Sequence, residues 1–464
     1  MSHTDPKGVV APQTRTDNIY LQGSLGALFL KTAAPIMLVM VVNGLFTIVD
    51  AYFLGVYVGA DAVIAVTLMF PLYMMIVALS TLVGNGFSSV YARYLGANKQ
   101  QAATDVFASA LQLSVLISGI LIVGFVVFGW SLALQVAAGD AGLAALGHLY
   151  IAIMIFGAPL TFVYAVNLDA VRAEGLLPFM AAVTMASALM NIFFDWLFIV
   201  PFDMGVAGSA YGTLLSQLLA ACVILLYRRR NPRAVPLRLL RTQARHWIEM
   251  LALGAPSSLG YVGLSLSAGV TLFSLQIWAA DMFETTSGAF GILTRLMTFT
   301  FLPLLGLSLA FQTIVGNNYG AGAMDRVGQA VRIALVAAFI YCATMQGLFL
   351  LLAPSLGGIF VDDIGIQLEL ARIIPVATLT LILFGPLMMI ATYFQAIGDA
   401  ARAAILGLSR TYVFAIPLTF ALPFVMGEWG IWYAGAVAEG LVLATCILVL
   451  WQLRRSSARP AVKA

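Results

Sequence analysis

The sequence predicts an all-α membrane protein, with twelve transmembrane helices in two six-helix lobes related by a pseudo-two-fold axis. Three observations predict it. Of 464 residues, 62% are hydrophobic and 9% charged, whereas soluble domains carry roughly 25% charged residues. The apolar residues fall into twelve runs, each near the ~20 residues that cross a bilayer. The charges between those runs alternate in sign along the chain.

Taken in order, the runs cover residues 28–54, 64–92, 104–130, 145–169, 177–200, 206–227, 247–276, 287–316, 327–352, 367–395, 403–424 and 430–453. Loops after even-numbered runs hold the basic residues: Arg93 and Lys99, Arg172, Arg326, Arg402, and the central stretch with Arg228, Arg229, Arg230, Arg233, Arg238, Arg241 and Arg245. Loops after odd-numbered runs hold no Lys or Arg. They carry Asp61, Asp140, Asp203, Asp281, Glu284, Asp362, Asp363 and Glu428. The positive-inside rule then predicts cytoplasmic termini and a cytoplasmic central loop. The expected setting is a multi-pass protein of the plasma (inner) membrane. A wrong count of runs would have scrambled the alternation.

The two halves resemble each other. Residues 95–111, LGANKQQAATDVFASAL, match 319–335, YGAGAMDRVGQAVRIAL, and each follows a Val-Gly-Asn, at 83–85 and 315–317. Arg172-Ala173-Glu174-Gly175 matches Gln395-Ala396-Ile397-Gly398, and Gly205-Val206 matches Gly430-Ile431. Ala33-Ala34-Pro35 of the first run has its counterpart in Gly254-Ala255-Pro256. The expected organisation is a flexible tail (1–24), a first lobe (25–227), a basic linker (228–246), a second lobe (247–453) and a short tail (454–464). Each half has an even number of runs, so the copies share an orientation. Parallel repeats of this kind suit a transporter, with its site between or within the lobes.

Ionisable residues at membrane depth are costly and mark function. The first run contains Pro35, which removes a backbone hydrogen bond and can bend a helix. It also contains Asn43 and Asp50, seven apart on one face, with Phe46 between them. The fifth run contains Asn191 and Asp195, stacked at i and i+4, and the sixth contains Thr213. With the predicted orientation, Asp50, Asp195 and Thr213 all fall in the outer half of the first lobe. Carboxylate, amide and hydroxyl oxygens are what a hard cation wants. The two acids can instead share a proton.

At these residues the chain resembles the multidrug and toxic compound extrusion (MATE) family of the MOP superfamily, in its MepA-like bacterial branch. The resemblance covers nearly all twelve runs. It is strongest in NGLFTIVDAYFLGVYVGADAVIAV followed by Phe70-Pro71, and again in YFQAIGDA and AILGLSR. It implies a cation-coupling site at Asp50, Asn191, Asp195 and Thr213, the same four being ligands if the ion is Na⁺. It implies a helix-one hinge at Pro35, and places Asn43 where the family often has Gln. The implied activity is secondary active export of organic, often cationic, compounds by antiport with H⁺ or Na⁺. A lipid or oligosaccharide-lipid flippase of the same superfamily is the alternative. One branch of the family has acids deep in helices seven and ten. Here the second-lobe counterparts of Asp50 and Asp195 are Thr271 and about Leu418, so coupling is expected in the first lobe alone.

Asn43, Phe46, Arg295 and Glu439 are candidates for the substrate pocket. Arg295 can meet an anionic group or snorkel to the headgroups. Glu439 can pair with Arg410 or line a second-lobe cavity and attract cations. No cofactor is expected beyond the coupling ion. The expected partners are small organic substrates and membrane lipids, with no nucleic acid, and the expected state is a monomer. No mid-run His, HExxH or CxxC supports an enzyme. Cys222, Cys342 and Cys446 lack metal-ligand spacing and read as inert.

Overall fold

Proline, glycine and loop acids set the helix limits in the computed structural model, which describes residues 18–231 and 244–457. Residues 1–17, the linker arginines Arg233, Arg238 and Arg241, and Arg459 and Lys463 lie outside the described residues. The helices are α1 (Leu25–Phe53), α2 (Ala60–Leu68), α3 (Phe70–Gly96), α4 (Gln100–Val136), α5 (Ala141–Phe156), α6 (Ala158–Ala173), α7 (Leu177–Ile199) and α8 (Gly205–Arg230). The second half contributes α9 (Trp247–Trp278), α10 (Phe283–Gly320), α11 (Met324–Phe360), α12 (Ile364–Ala377) and α13 (Leu381–Ile397). It ends with α14 (Ala400–Leu408), α15 (Ile416–Ala421), α16 (Pro423–Met426) and α17 (Trp429–Ser457). Among the described residues there is no strand.

Among the described residues, ten helical stretches are long and apolar enough to cross a membrane alone. Two bent pairs, α5 with α6 at 49° and α12 with α13 at 51°, bring the number to twelve. Each pair is the fourth span of its half, so the break itself is repeated. Gly157 and Pro159 stand at the first break, and Thr378 to Thr380 separate the helices of the second. The second span differs from the expectation. It starts at Phe70, and residues 60–68 form the separate short α2. Pro71 causes this, since it has no N–H to continue a helix from α2 and is best placed in a first turn.

The repeat is visible in the backbone. Gly175 and Gly398, matched in sequence, both cap a helix with positive φ (+84° and +90°), where a side chain would be strained. Gly96 and Gly320 are also matched. A Cβ on Gly96 would lie 1.9 Å from the Asn317 carbonyl oxygen, and one on Gly320 would lie 2.0 Å from that of Arg93. Arg93 and Asn317 are themselves three residues before those glycines, so the contact is reciprocal about the pseudo-axis. In that register the two Val-Gly-Asn triplets do not correspond, because they precede the matched glycines by different intervals. A second reciprocal pair joins α3 to α9. A Cβ on Gly86 would lie 1.9 Å from the Met250 carbonyl oxygen, and one on Gly254 would lie 1.8 Å from that of Leu82. Small residues let membrane helices approach this closely.

All four contacts lie toward the face that carries the basic loops. Arg93 pairs there with Glu249 across the halves at 2.8 Å, and the Ser89 hydroxyl donates to the Gln395 carbonyl. The two lobes are therefore sealed together on the basic face. Residues 18–24, expected to be part of a flexible tail, add to the seal. Tyr20 is fully buried. Its hydroxyl donates to the Arg172 carbonyl of the first half at 2.6 Å, and its own carbonyl accepts from Asn318 of the second half at 3.1 Å. Asn18 donates to Asn317 at 2.9 Å, and Arg326 donates to the Gly23 carbonyl at 3.0 Å. The segment is ordered because its backbone groups find partners on both lobes.

Candidate functional site

Helix periodicity brings the first-lobe polar residues to one place. Asp50 sits one turn before the end of α1, which continues as a π-helical turn over Leu54–Val58. On α7, Asn191 and Asp195 share the face turned to α8. The Asn191 amide donates to Asp195 Oδ1 at 3.4 Å and to Thr213 Oγ1 at 3.2 Å. Asp195 is fully buried, Asn191 is buried and Asp50 is half-buried. The Asp50 and Asp195 carboxyl groups face one another within hydrogen-bonding reach. Asp50 Oδ1 and Asp195 Oδ2 are both buried with no donor. Two ionised carboxylates in this position repel strongly in a low-dielectric surround. A single proton or cation between them removes the repulsion and satisfies both orphaned oxygens. Asn191 presents its NH₂ to both neighbours, so in this arrangement it is a donor. The oxygens free to hold a cation are those of Asp50, Asp195 and Thr213.

Three residues of this site had not been singled out from the sequence. Tyr73 of α3 lies close enough to Asp50 to feel its charge, and Tyr150 of α5 is close to both acids. They arrive from helices outside the spans that carried the polar pattern, so nothing local marked them. Gly212 had a signal, as the residue before Thr213 in a run of small residues. A Cβ there would stand 2.2 Å from Asp195 Oδ1. The carboxyl group fits against α8 only because that position has no side chain.

Of the other candidates, Phe46 lies one helical turn before Asp50 and Asn43 two turns before it on α1. Pro35 is half-buried, and α1 runs through it without a break. It is about 22 Å from Asp50 along the helix at 1.5 Å per residue. Asn43 is exposed, with its carbonyl accepting from Thr47 at 3.3 Å, and Phe46 is half-buried. Arg295 is exposed on α10 and makes no ion pair among the described residues. Glu439 is buried and pairs with Arg410 at 2.8 Å. In the second lobe, Thr271 stands where α1 has Asp50, and its hydroxyl donates to the Ser267 carbonyl of its own helix. Among the described residues no acidic pair is rebuilt there.

A protein-family model described as MatE matches residues 35–197 and 270–421, well over half of the chain. The chain belongs to the MatE family. Members of this family are transporters, not enzymes. The MatE chain is 25% identical over 425 residues to the multidrug export protein MepA of Staphylococcus aureus (strain NCTC 8325 / PS 47), covering 90% of this chain and 92% of that one. It is 23% identical to the protein of the same name from Staphylococcus saprophyticus, covering 91% and 92%. Among solved structures it superposes on an outward-facing MATE family transporter of the MOP superfamily with a TM-score of 0.85, at 24% identity, covering 95% of this chain and 98% of that one. A MATE structure in a straight conformation gives 0.83 at 25% identity, covering 95% and 98%. The fold is thus the two-lobed, multi-pass fold of that family.

Proposed function

We propose that this MatE protein is a secondary active exporter of organic, often cationic, compounds, driven by antiport with H⁺ or Na⁺ through Asp50 and Asp195. The observation that carries the reading is the facing pair of carboxyl groups from α1 and α7, each with a buried oxygen that lacks a donor. A site of that kind is occupied by a proton or a cation whenever its surroundings are dry. It can also compete for a positively charged substrate, and that competition is what antiport requires. The names of the MepA relatives support multidrug compounds as cargo.

In this reading the basic face is cytoplasmic, and the seal on that face leaves the acids of the first lobe toward the outside. Entry of the coupling ion favours one of two lobe arrangements, and substrate favours the other, which is a population shift by differential affinity. The lobes are taken to divide at the linker, residues 228–246, and the protein to act as a monomer. Pro35 serves as the hinge in α1, because its missing N–H lowers the cost of bending there.

The test is export from proteoliposomes with pH and Na⁺ gradients imposed separately. Asp50→Asn and Asp195→Asn should each abolish gradient-driven export while the protein still folds and inserts. Full gradient-driven export in either variant would remove the carboxyl pair from the mechanism.

A further inference from the structure

The second lobe has its own charged pair on the helices that correspond to those of the first-lobe site. Asp195 lies on the fifth span and Thr213 on the sixth. Arg410 lies on the eleventh span and Glu439 on the twelfth, so the repeat brings them to equivalent helices with different chemistry. The eleventh span is also locally unlike the fifth. Where α7 is one regular helix, the chain between α14 and α15 is π-helical over Ser409–Ala415. Such insertions are frequent at functional sites and re-aim side chains.

Arg410 points into a cavity of about 190 Å³ lined by α3, α9, α10, α13 and α14. Among the described residues lining it, Arg410 alone is charged. Glu439 stands behind the guanidinium and does not line the cavity. Several neutral polar side chains of the wall are already engaged. Ser308 and Thr392 bond each other at 2.7 Å, and the Gln395 amide donates to the Leu253 carbonyl at 2.6 Å. Arg410 is different. It stacks on the Phe384 ring at 4.2 Å, and its Nη2 reaches the Phe384 carbonyl only at the long distance of 3.5 Å. Its Nε is 2.8 Å from Glu439, an ion pair in which the N–H is not aimed at the carboxylate. A guanidinium has five N–H donors in a fixed fork that matches a carboxylate. Here most of them have no protein acceptor, and the side chain remains 19% exposed. Phe301 and Phe384 meet edge to face at 6.3 Å, giving an aromatic wall next to the charge.

We propose that this second-lobe cavity binds the carboxylate end of amphipathic, aromatic compounds, with Arg410 as the receiving cation and Glu439 as its counter-ion. The proposal rests on the reading of the protein as an exporter of organic compounds, and it names a class of cargo that the acidic first-lobe site would not select. Glu439 balances the guanidinium charge and holds the side chain in place when no ligand is present. A bound carboxylate then takes the donors that Glu439 leaves free, in a geometry that lysine reproduces poorly.

The test is equilibrium binding of diethylaminocoumarin carboxylic acid and its ethyl ester to the full chain in nanodiscs, read by fluorescence polarisation. The two probes differ only at the carboxyl group. The unaltered protein should prefer the acid. Arg410→Gln should weaken acid binding by about tenfold, the effect of 1.4 kcal/mol, and leave the ester within about twofold. Arg410→Lys should recover part of the preference. The charge-neutral double variant Arg410→Gln/Glu439→Gln leaves no buried unpaired charge, and it should lose the preference in the same way. Glu439→Gln alone should raise the acid-to-ester ratio by freeing the cation. No preference in the unaltered protein, or equal losses for acid and ester in the double variant, would overturn the proposal. The assay needs no gradient. A shift in the ratio without gradient-driven export would uphold the site and refute the exporter reading, and export with an unshifted ratio would do the reverse.

Discussion

Gly212→Ala tests the first-lobe site without touching any of its ionisable groups. The added methyl would sit 2.2 Å from Asp195 Oδ1, 3.4 Å from its Cγ and 3.2 Å from its backbone nitrogen. Ordinary contact begins at 3.4 Å, so the carboxyl oxygen must retreat by about 1.2 Å, a small-to-large change of the kind that costs 1–3 kcal/mol in a packed interior. The Asn191 bond to that oxygen is already 3.4 Å long. A retreat of this size breaks it and moves Asp195 relative to Asp50. Gradient-driven export should fall by about tenfold or more, since loss of even 1.4 kcal/mol at the site is a factor of ten. Gly208→Ala is the control on the same helix. Its methyl would meet Ile199 Cγ1 at 3.0 Å and the Phe198 carbonyl carbon at 3.1 Å, with no carboxyl group nearby. It should lower the thermal midpoint by a similar amount yet keep coupling. Both variants would be compared in proteoliposomes at matched insertion. Normal coupling in Gly212→Ala, or equal loss of coupling in both, would refute the argument that the glycine exists to seat the Asp195 carboxyl group.

Three further outcomes follow from the same structure. In a background without native cysteines, a Cys placed at Asp140 or Asp362 should be labelled from outside and one at Arg233 should not; the reverse pattern would invert the proposed orientation. If Na⁺ binds at Asp50 and Asp195, its apparent affinity should weaken as pH falls, by up to about tenfold per pH unit where proton and cation compete one for one. The sign is set by mass action, since a proton on the shared carboxyl pair excludes the cation, and titration of Na⁺ binding at several pH values would read it. Tyr20→Phe removes the hydroxyl bond to Arg172 and should weaken the seal on the basic face by about 1 kcal/mol, a factor of about five in the balance of lobe arrangements. Accessibility of a single Cys on that face to a thiol reagent should rise accordingly, and unchanged accessibility would show that the segment is a bystander.

How much of this was legible in the sequence depends on the range of the interactions involved. The twelve spans are local matters, because a run of apolar side chains decides by itself whether it enters the bilayer. Loop charge is equally local. Even the first-lobe cluster was readable, since Asn191 and Asp195 are one turn apart and depth in a membrane is a one-dimensional coordinate that places Asp50 and Thr213 beside them. The repeat could be seen in Gly175 and Gly398, whose left-handed caps leave a glycine at matching positions.

What only the tertiary structure decided were contacts between helices far apart in the chain. Gly96 against Asn317 and Gly320 against Arg93 seal the lobes, yet each glycine alone reads as an ordinary small residue. Tyr20 looked like part of a polar tail until its hydroxyl and carbonyl were seen to reach opposite lobes. Tyr73 and Tyr150 approach the acids from neighbouring helices and carry no periodic signal. Between two open readings of Glu439, its partner Arg410 and the cavity wall gave the ion pair, because the π-helical turn after α14 sets the direction of Arg410. Burial and hydrophobic pattern determine which segments cross. Side-chain direction at a close helix crossing is a property of two helices at once, and a single sequence shows them only one at a time.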